Sequence, residues 1–170
     1  MLVLGVDPGS NVTGYGLVEK KNHQLTCVHF GLIKPPAKAP FYQRIYHIFR
    51  GIEDIMAHYG PGEMAIEDIF YAKNVKSSLK LGHARGAILV AAAHRGIGVF
   101  EYSPLEIKKS VVGYGRAAKE QVRTMVRVIL KLKEEPALDA SDALAVAVCH
   151  LNWSRFATLT ANPRHEGSRK

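Results

Sequence analysis

Four acidic residues of this sequence could together bind a divalent metal ion. They are Asp7, Glu67, Asp139 and Asp142. Carboxylate oxygens without His or Cys favour Mg²⁺ or Mn²⁺ over zinc. Two such ions about 4 Å apart can activate a water molecule and stabilise the leaving oxygen of a phosphodiester. The chemistry that these residue types suggest is therefore metal-assisted hydrolysis of a nucleic-acid backbone.

Each of these acids also has a purely structural interpretation. Asp7 could cap the turn at Pro8-Gly9, and Glu67 could be a solvated strand end, interpretations that are about as probable as a functional one. Asp139 and Asp142 stand three residues apart at the start of a predicted helix, so they share one helix face. For this pair alone, an N-cap and a first-turn acid stabilised by the helix dipole are favoured.

The last predicted helix could carry its acidic start close to the sheet. Ala140, Ala143 and Ala147 leave this helix a narrow face, so a close approach is possible. Four acids meeting in one pocket would repel and raise each other's pKa, a cost that a bound cation removes. Together with their placement at strand ends and a helix start, this favours a metal-dependent nuclease site.

These acids must be positioned by an α/β fold. Apolar and β-branched runs predict strands at 2–7, 13–19, 24–33, 63–67 and near 98–102. Helical periodicity predicts helices at 41–59, 75–95, around 122–130 and at 139–152. Short links favour antiparallel pairing of the first three strands. The sequence predicts a mixed five-stranded sheet with helices on both faces.

Composition and charge limit the kind of protein. The 170 residues fit one domain, predicted over residues 1–153, with a basic and flexible C-terminal tail over 154–170. The net charge is +8, and residues 73–133 contain 13 Lys and Arg against three Glu. This segment suggests a polyanionic partner, at about even odds with solvated helix faces. Cys27 and Cys149 have no zinc or disulfide spacing, and no signal peptide or membrane span is apparent, so we expect a cytoplasmic protein with no membrane partner.

Five motifs in order resemble those of the RuvC family, bacterial Holliday junction endonucleases of the ribonuclease H-like superfamily. They are Gly5–Gly16, Ala65–Asn74, Leu79–Gly86, Lys108–Gly115 and Asp139–Ala145, and they span roughly residues 1–152. The resemblance implies a ribonuclease H-like fold and a homodimer that makes paired nicks across a four-way DNA junction. It also implies roles in recombination and repair, and a partnership with the RuvA–RuvB branch-migration complex.

The resemblance further implies which residues act. Asp7, Glu67, Asp139 and Asp142 become the metal-binding catalytic acids, with two Mg²⁺ ions per site, for which Mn²⁺ can substitute. The family's fourth acidic position is sometimes His, and here it is Asp. Which of Asp139 and Asp142 binds the metal directly stays open. Lys119 is implied to be catalytic, and it could neutralise charge at the scissile phosphate.

Several residues are predicted to contact DNA. Packing of Phe70 in the core is favoured from the residues alone, but the resemblance implies that it wedges between junction bases. The glycines of the Gly-Tyr-Gly turn are expected to let the backbone approach DNA closely. The remaining predicted DNA contacts are Lys73, Lys76, Lys80, Arg85, Lys108, Gly113, Tyr114, Gly115 and Arg116.

Small residues on the second predicted helix suggest a helix–helix contact. Gly82 and Gly86 stand four residues apart, beside Leu81 and Leu89. Packing within the monomer and packing across a dimer interface are equally compatible with this spacing, and the resemblance favours the dimer.

Three other classes of protein compete with a junction nuclease. One is a ribonuclease H-like nuclease that acts on RNA. A second is an ATPase or sugar kinase with a similar phosphate turn, but the chain lacks the second domain that such enzymes need. A third is a junction-binding protein without activity. It would place four carboxylates against a polyanion with no metal, which is electrostatically unfavourable.

Overall fold

The computed structural model describes residues 1–68 and 74–160, with side chains described as far as Trp153. The strands are β1 (Leu2–Asp7), β2 (Thr13–Lys21), β3 (Gln24–Ile33), β4 (Glu63–Glu67) and β5 (Gly98–Tyr102). The helices are α1 (Phe41–Tyr59), α2 (Val75–His94), α3 (Pro104–Val112), α4 (Lys119–Ile129) and α5 (Leu138–Thr160). The predicted α/β fold class is confirmed.

The five strands form one sheet in the order β3-β2-β1-β4-β5. The first three strands pair antiparallel, as their short links predicted. β4 pairs parallel with both β1 and β5, which requires the helical connections that precede and follow it. Since Val6 of β1 is paired with Ile66 of β4, the strand-end acids Asp7 and Glu67 come to the same edge of the sheet.

Helices cover both faces of the sheet. On one face, α3, α4 and α5 enclose a core that includes Val3, Val18, Val126, Leu144 and Val148. On the other face, α1 and α2 enclose a second core that includes Leu4, Leu17, Ile48, Ile52 and Ile88. The alternation along β1 divides its side chains between the two cores, so the strand is buried on both sides.

Glycines in β1 and β2 let α5 lie very close to the sheet. A Cβ at Gly5 would stand 2.0 Å from the carbonyl oxygen of Ala143, and one at Gly14 would stand 2.0 Å from that of Asp139. At Gly16 an added Cβ would collide with Leu144. The alanine face predicted for this helix is matched by glycines on the strands beneath it, and together they set the height of α5 above β1.

Several boundaries differ from the sequence-based expectation. β2 continues to Lys21, so the hairpin turn lies at Asn22 and His23, both of which have positive φ. The α3 helix was not predicted, although Ser103 and Glu106 form the capping box that begins it.

The start of α4 and the end of α5 also differ from the prediction. α4 begins at Lys119, three residues before the predicted start. α5 ends at Thr160 rather than near Asn152, so it runs through the first part of the predicted tail. Residues 161–170, which make up the rest of that tail, lie outside the described part of the chain.

Candidate active site

The four predicted acids converge where β1, β4 and α5 meet. Asp7 ends β1 and Glu67 ends β4 at the same sheet edge. Asp139 and Asp142 lie in the first turns of α5. The main chain of Asp139 lies directly over Gly14, which is the residue paired with Asp7 across the β1–β2 ladder. The glycine therefore brings the acidic start of α5 to the end of β1.

The carboxylates are close enough to perturb each other's protonation. Burial and the neighbouring charges of Asp142, Glu67 and Asp139 raise the pKa of Asp7 to about 7, against a smaller opposing effect of Lys119. The pKa of Glu67 is raised by burial and by Asp142. The pKa of Asp142 is raised mainly by its burial. Burial is the largest cause of all three shifts, and repulsion between the acids adds to it, so a positive ion would be favoured beside them.

The carboxylates suit a metal ion in chemistry, but their present spacing is wider than that of a formed metal site. Among residues 1–68 and 74–153, no three His, Cys, Asp or Glu side chains are gathered tightly enough to hold a metal ion as they stand. The donor set nevertheless consists of carboxylate oxygens whose pKa values are raised first by burial and then by mutual repulsion. That chemistry fits a hard divalent cation such as Mg²⁺ or Mn²⁺.

Two lysines border the carboxylates. Lys119, the first residue of α4, places its Nζ 3.5 Å from Oδ2 of Asp142. This charge and that of Lys108 on α3 lower the pKa of Glu67, opposing the effect of burial. A cavity of about 240 Å³ is lined by both lysines, by Glu67 and Asp142, and by apolar side chains of α3, α4 and α5. Acidic and basic side chains therefore face the same cavity.

Two residues outside the predicted site, Thr13 and Arg44, fix the turn after Asp7. The Thr13 hydroxyl donates to the carbonyl oxygen of Gly9 at 2.8 Å. Arg44 of α1 donates from Nη2 to the carbonyl oxygen of Ser10 at 2.6 Å, and also contacts the side-chain oxygen of Asn11. The sequence could have suggested the role of Thr13, since this residue lies within the turn motif. It could not have suggested the role of Arg44, because its partner is distant in sequence.

The predicted DNA contacts have different surroundings in the structure. Lys76 and Lys80 are exposed on α2, and Tyr114 and Arg116 are exposed after α3. Arg85, by contrast, is only 8% exposed, and its guanidinium is bonded inside the protein. The predicted DNA contact at Arg85 is therefore not supported, because the side chain is not free to meet a phosphate. Phe70 and Lys73 lie outside the described residues.

The Gly-Tyr-Gly turn has a local structural basis. Gly113 has a φ of +92° and ends α3, a conformation that favours glycine. A Cβ on Gly115 would come within 2.6 Å of the Leu105 side chain. The positive φ gives Gly113 a local structural reason, and the predicted contact of this turn with DNA stays a prediction.

Two glycines of α2 have no close neighbours in the described part of the chain. A Cβ added at Gly82 or Gly86 would meet no described atom within 4 Å. Among residues 1–68 and 74–153, no close neighbour accounts for the small side chain at either position. Leu79 and Val90, on the same helix, are each 60% exposed, so α2 presents an open apolar surface. Leu81 and Leu89 are half-buried.

The mixed five-stranded sheet, with helices on both faces and acids at its edge, defines a ribonuclease H-like fold. The family model described as "Crossover junction endodeoxyribonuclease RuvC" matches residues 3–150. The chain belongs to the RuvC family. No helix in the described part of the chain combines the length and the apolar character needed to cross a membrane.

Individual relatives support this assignment over nearly the whole chain. A Geobacter metallireducens crossover junction endodeoxyribonuclease RuvC is 50% identical over 152 residues, covering 89% of this chain and 93% of the relative. One from Trichlorobacter lovleyi is 46% identical and covers 100% of this chain and 95% of the relative. The solved structure of T. thermophilus RuvC in complex with Holliday junction substrate superposes with a TM-score of 0.88 at 36% identity, covering 93% of this chain and 97% of that one.

Proposed function

We propose that this chain is a crossover junction endodeoxyribonuclease that resolves four-way DNA junctions by paired, metal-assisted hydrolysis in recombination and repair. The observation that carries the proposal is the family match over residues 3–150. It is supported by the likeness to a relative whose structure includes a Holliday junction substrate. The carboxylates gathered at one edge of the sheet supply a chemical reason for the activity.

Asp7, Glu67, Asp139 and Asp142 would hold two Mg²⁺ ions, or Mn²⁺ in their place. When bound, such ions lower the pKa of a water molecule and stabilise charge on the leaving oxygen. The chain itself contributes a buried, negatively charged pocket that selects a small hard cation. Asp142 is in contact with Lys119, whereas Asp139 lies over Gly14. We assign Asp139 and Asp142 together to metal binding, without dividing the role between them.

Lys119 and Lys108 would act on the phosphate. Lys119 lies beside Asp142 with its side chain 65% exposed. Its pKa is raised chiefly by that carboxylate, so the ammonium stays charged. A positive group fixed at this wall of the cavity can stabilise the charge that develops on the scissile phosphate. The exposed Lys76, Lys80 and Arg116 would hold the phosphates of the junction arms farther out.

The proposed assembly is a homodimer formed through α2. Its open glycines and exposed Leu79 and Val90 provide a surface on which a second α2 could pack closely. A two-fold dimer would present two active sites to two symmetry-related strands, as paired nicking requires. We further propose the RuvA–RuvB branch-migration complex as partner, the bacterial cytoplasm as location, and residues 154–170 as an appendage to the nuclease domain.

The function is tested with three substrates in parallel. The protein is incubated with a synthetic four-way junction, a linear duplex of the same sequence and an RNA hairpin, with Mg²⁺ or with a chelator. We expect paired nicks in the junction alone and none with the chelator. Equal cutting of the linear duplex would contradict junction selectivity, and cutting of the RNA hairpin would indicate a different ribonuclease H-like nuclease.

Replacing Lys119 with Met should slow junction cleavage by on the order of 100-fold near pH 7. Two effects combine, because the variant loses a positive charge at the phosphate and also loses the charge that lowers the pKa of Asp142, Glu67 and Asp7. The acid limb of the pH–rate profile should therefore move to higher pH. Lys21→Met, at an exposed ion pair on the distant hairpin, is the control. An unchanged rate and profile for Lys119→Met would remove Lys119 from the mechanism.

Junction affinity should fall steeply with salt if the exposed cations bind phosphates. Each phosphate contact contributes a slope of roughly −0.9 in a plot of log affinity against log salt concentration. Lys80→Met should make that slope shallower by about one contact. Fluorescence anisotropy with a labelled junction, in chelator to prevent cutting, measures both. A flat salt response in the parent protein would argue against an electrostatic grip on DNA.

A further inference from the structure

Arg85 is a buried arginine that joins α2 to the end of β4. Its Nη1 donates to the backbone carbonyl oxygen of Glu67 at 2.5 Å. Its Nη2 lies 2.6 Å from Oε2 of Glu101 on β5. The second contact lacks the geometry of a hydrogen bond, so it is an ion pair. One guanidinium therefore connects a helix, a strand and the main chain of a proposed catalytic residue.

Arg85 acts from the face of the sheet opposite the carboxylates. The Glu67 carboxylate borders the cavity formed with α3, α4 and α5, whereas Arg85 belongs to α2 on the other face. The contact of Arg85 with Glu67 is made to the backbone carbonyl oxygen. Arg85 therefore acts on Glu67 through the main chain.

The contact stabilises a point where the sheet itself ends. Glu67 is the last residue of β4, and the next residue, Asp68, donates its N–H to the carbonyl oxygen of Tyr102 at 2.8 Å. Arg85 holds the carbonyl oxygen of the same peptide unit. Both polar groups of the peptide after Glu67 are thus bound. Strand ends otherwise fray, and fraying would let the carboxylate rotate away from its place.

Glu101 makes a buried guanidinium possible at this position. A charged group removed from water is costly unless a partner compensates it. The carboxylate of Glu101 is half-exposed while Arg85 is buried, so the pair keeps one side in solvent. The ion pair balances the charge of Arg85 and leaves Nη1 directed at the Glu67 carbonyl.

We propose that Arg85, balanced by Glu101, is a positioning residue that fixes Glu67 for metal binding. This inference rests on the proposed function, because it assigns Glu67 to the metal. It also replaces a role for Arg85 at the DNA surface. Groups that orient metal ligands typically affect metal affinity or activity by 10- to 100-fold when they are removed.

The test compares Arg85→Met, which keeps the aliphatic stem, with Arg85→Lys, which keeps the charge but lacks the planar, forked guanidinium. Arg95→Met is the matched control, since Arg95 follows the same helix and pairs with Glu53. Three quantities are measured for each: the Mg²⁺ concentration for half-maximal cleavage, Mn²⁺ affinity by calorimetry without DNA, and the salt dependence of junction binding in chelator.

We expect Arg85→Met to raise the Mg²⁺ requirement and weaken Mn²⁺ binding by on the order of tenfold or more. Its junction affinity and salt slope should match those of the parent and of Arg95→Met, and Arg85→Lys should fall between. An unchanged metal requirement would overturn the proposal, as would a salt slope shallower by about 0.9, the mark of a lost phosphate contact. If Arg85→Met does not fold, Arg85→Lys decides by the same criteria. A parent that cuts no junction would refute the proposed function, while the Mn²⁺ affinities would still test Arg85.

Discussion

Replacing Asp7 with Asn is expected to abolish junction cleavage, by at least on the order of 1,000-fold, while junction affinity stays equal or rises. The variant removes a carboxylate at the centre of the proposed metal site, and with it one of the repulsive charges that face the DNA phosphates. Single-turnover cleavage and junction anisotropy measure the two quantities separately. Parallel loss of binding and cleavage would show that Asp7 has a structural role instead.

The same variant should be more stable than the parent in the absence of metal. Burial and neighbouring acids raise the pKa of Asp7 from 3.8 to about 7, so the folded state binds a proton that the unfolded state has already lost. The associated stability is fully present below pH 4 and is lost as the pH rises through 7. Asn carries no charge at any pH. The variant should therefore gain stability above pH 7, by on the order of 4 kcal/mol at most, and nothing below pH 4.

Thermal unfolding of parent and variant at pH 4 and pH 8, each in chelator, tests this dependence. Asp54→Asn is a suitable control, because Asp54 is an exposed acid on α1 that pairs with Arg50 across one helical turn. It should show no such gain at pH 8. An equal shift for both variants would mean that net charge, and not the buried cluster around Asp7, is responsible.

The sequence allowed the sheet and the position of the acids to be predicted because both follow local rules. The runs before Asp7 and Glu67 are apolar and short, and the links between the first strands are too short for anything but antiparallel pairing. The alanine spacing of α5 indicated a close approach to the sheet, which the structure confirms at Gly5 and Gly14. The α3 helix was equally predictable, since Ser103 and Glu106 form a capping box.

Roles that depend on tertiary contacts were not accessible in the same way. Arg85 lies among many basic residues, and nothing in its neighbours along the chain distinguishes a buried arginine from a surface one. Only the position of Glu101 on the adjacent strand and the carbonyl of Glu67 reveal its surroundings. The same holds for Arg44, whose partner is the turn after β1. Charge patterns along a sequence predict the sign of the surface charge, but they do not show which basic side chains are exposed and which are buried.

Replacing Gly14 with Ala should be a severely damaging single-methyl change at the site. The added Cβ would stand 2.0 Å from the carbonyl oxygen and 2.3 Å from the carbonyl carbon of Asp139, both of them backbone atoms. Backbone cannot move aside as a flexible side chain does, so the start of α5 must lift from the sheet. We expect a loss of about 3 kcal/mol or more in the free energy of unfolding, measured in urea.

The same substitution should also impair catalysis in the molecules that remain folded. Gly14 pairs with Asp7, so lifting Asp139 separates two of the proposed metal ligands. Mn²⁺ affinity should therefore fall together with the cleavage rate, even under conditions where the variant is fully folded.

Gly82→Ala is the matched control, because its Cβ would meet no described atom within 4 Å. Within the monomer it should stabilise α2 by up to about 1 kcal/mol, as alanine does in a helix interior. Weakened self-association of Gly82→Ala would at the same time support α2 as the dimer interface. If Gly14→Ala were as stable and active as Gly82→Ala, close contact between β2 and α5 could not be what places Asp139 beside Asp7.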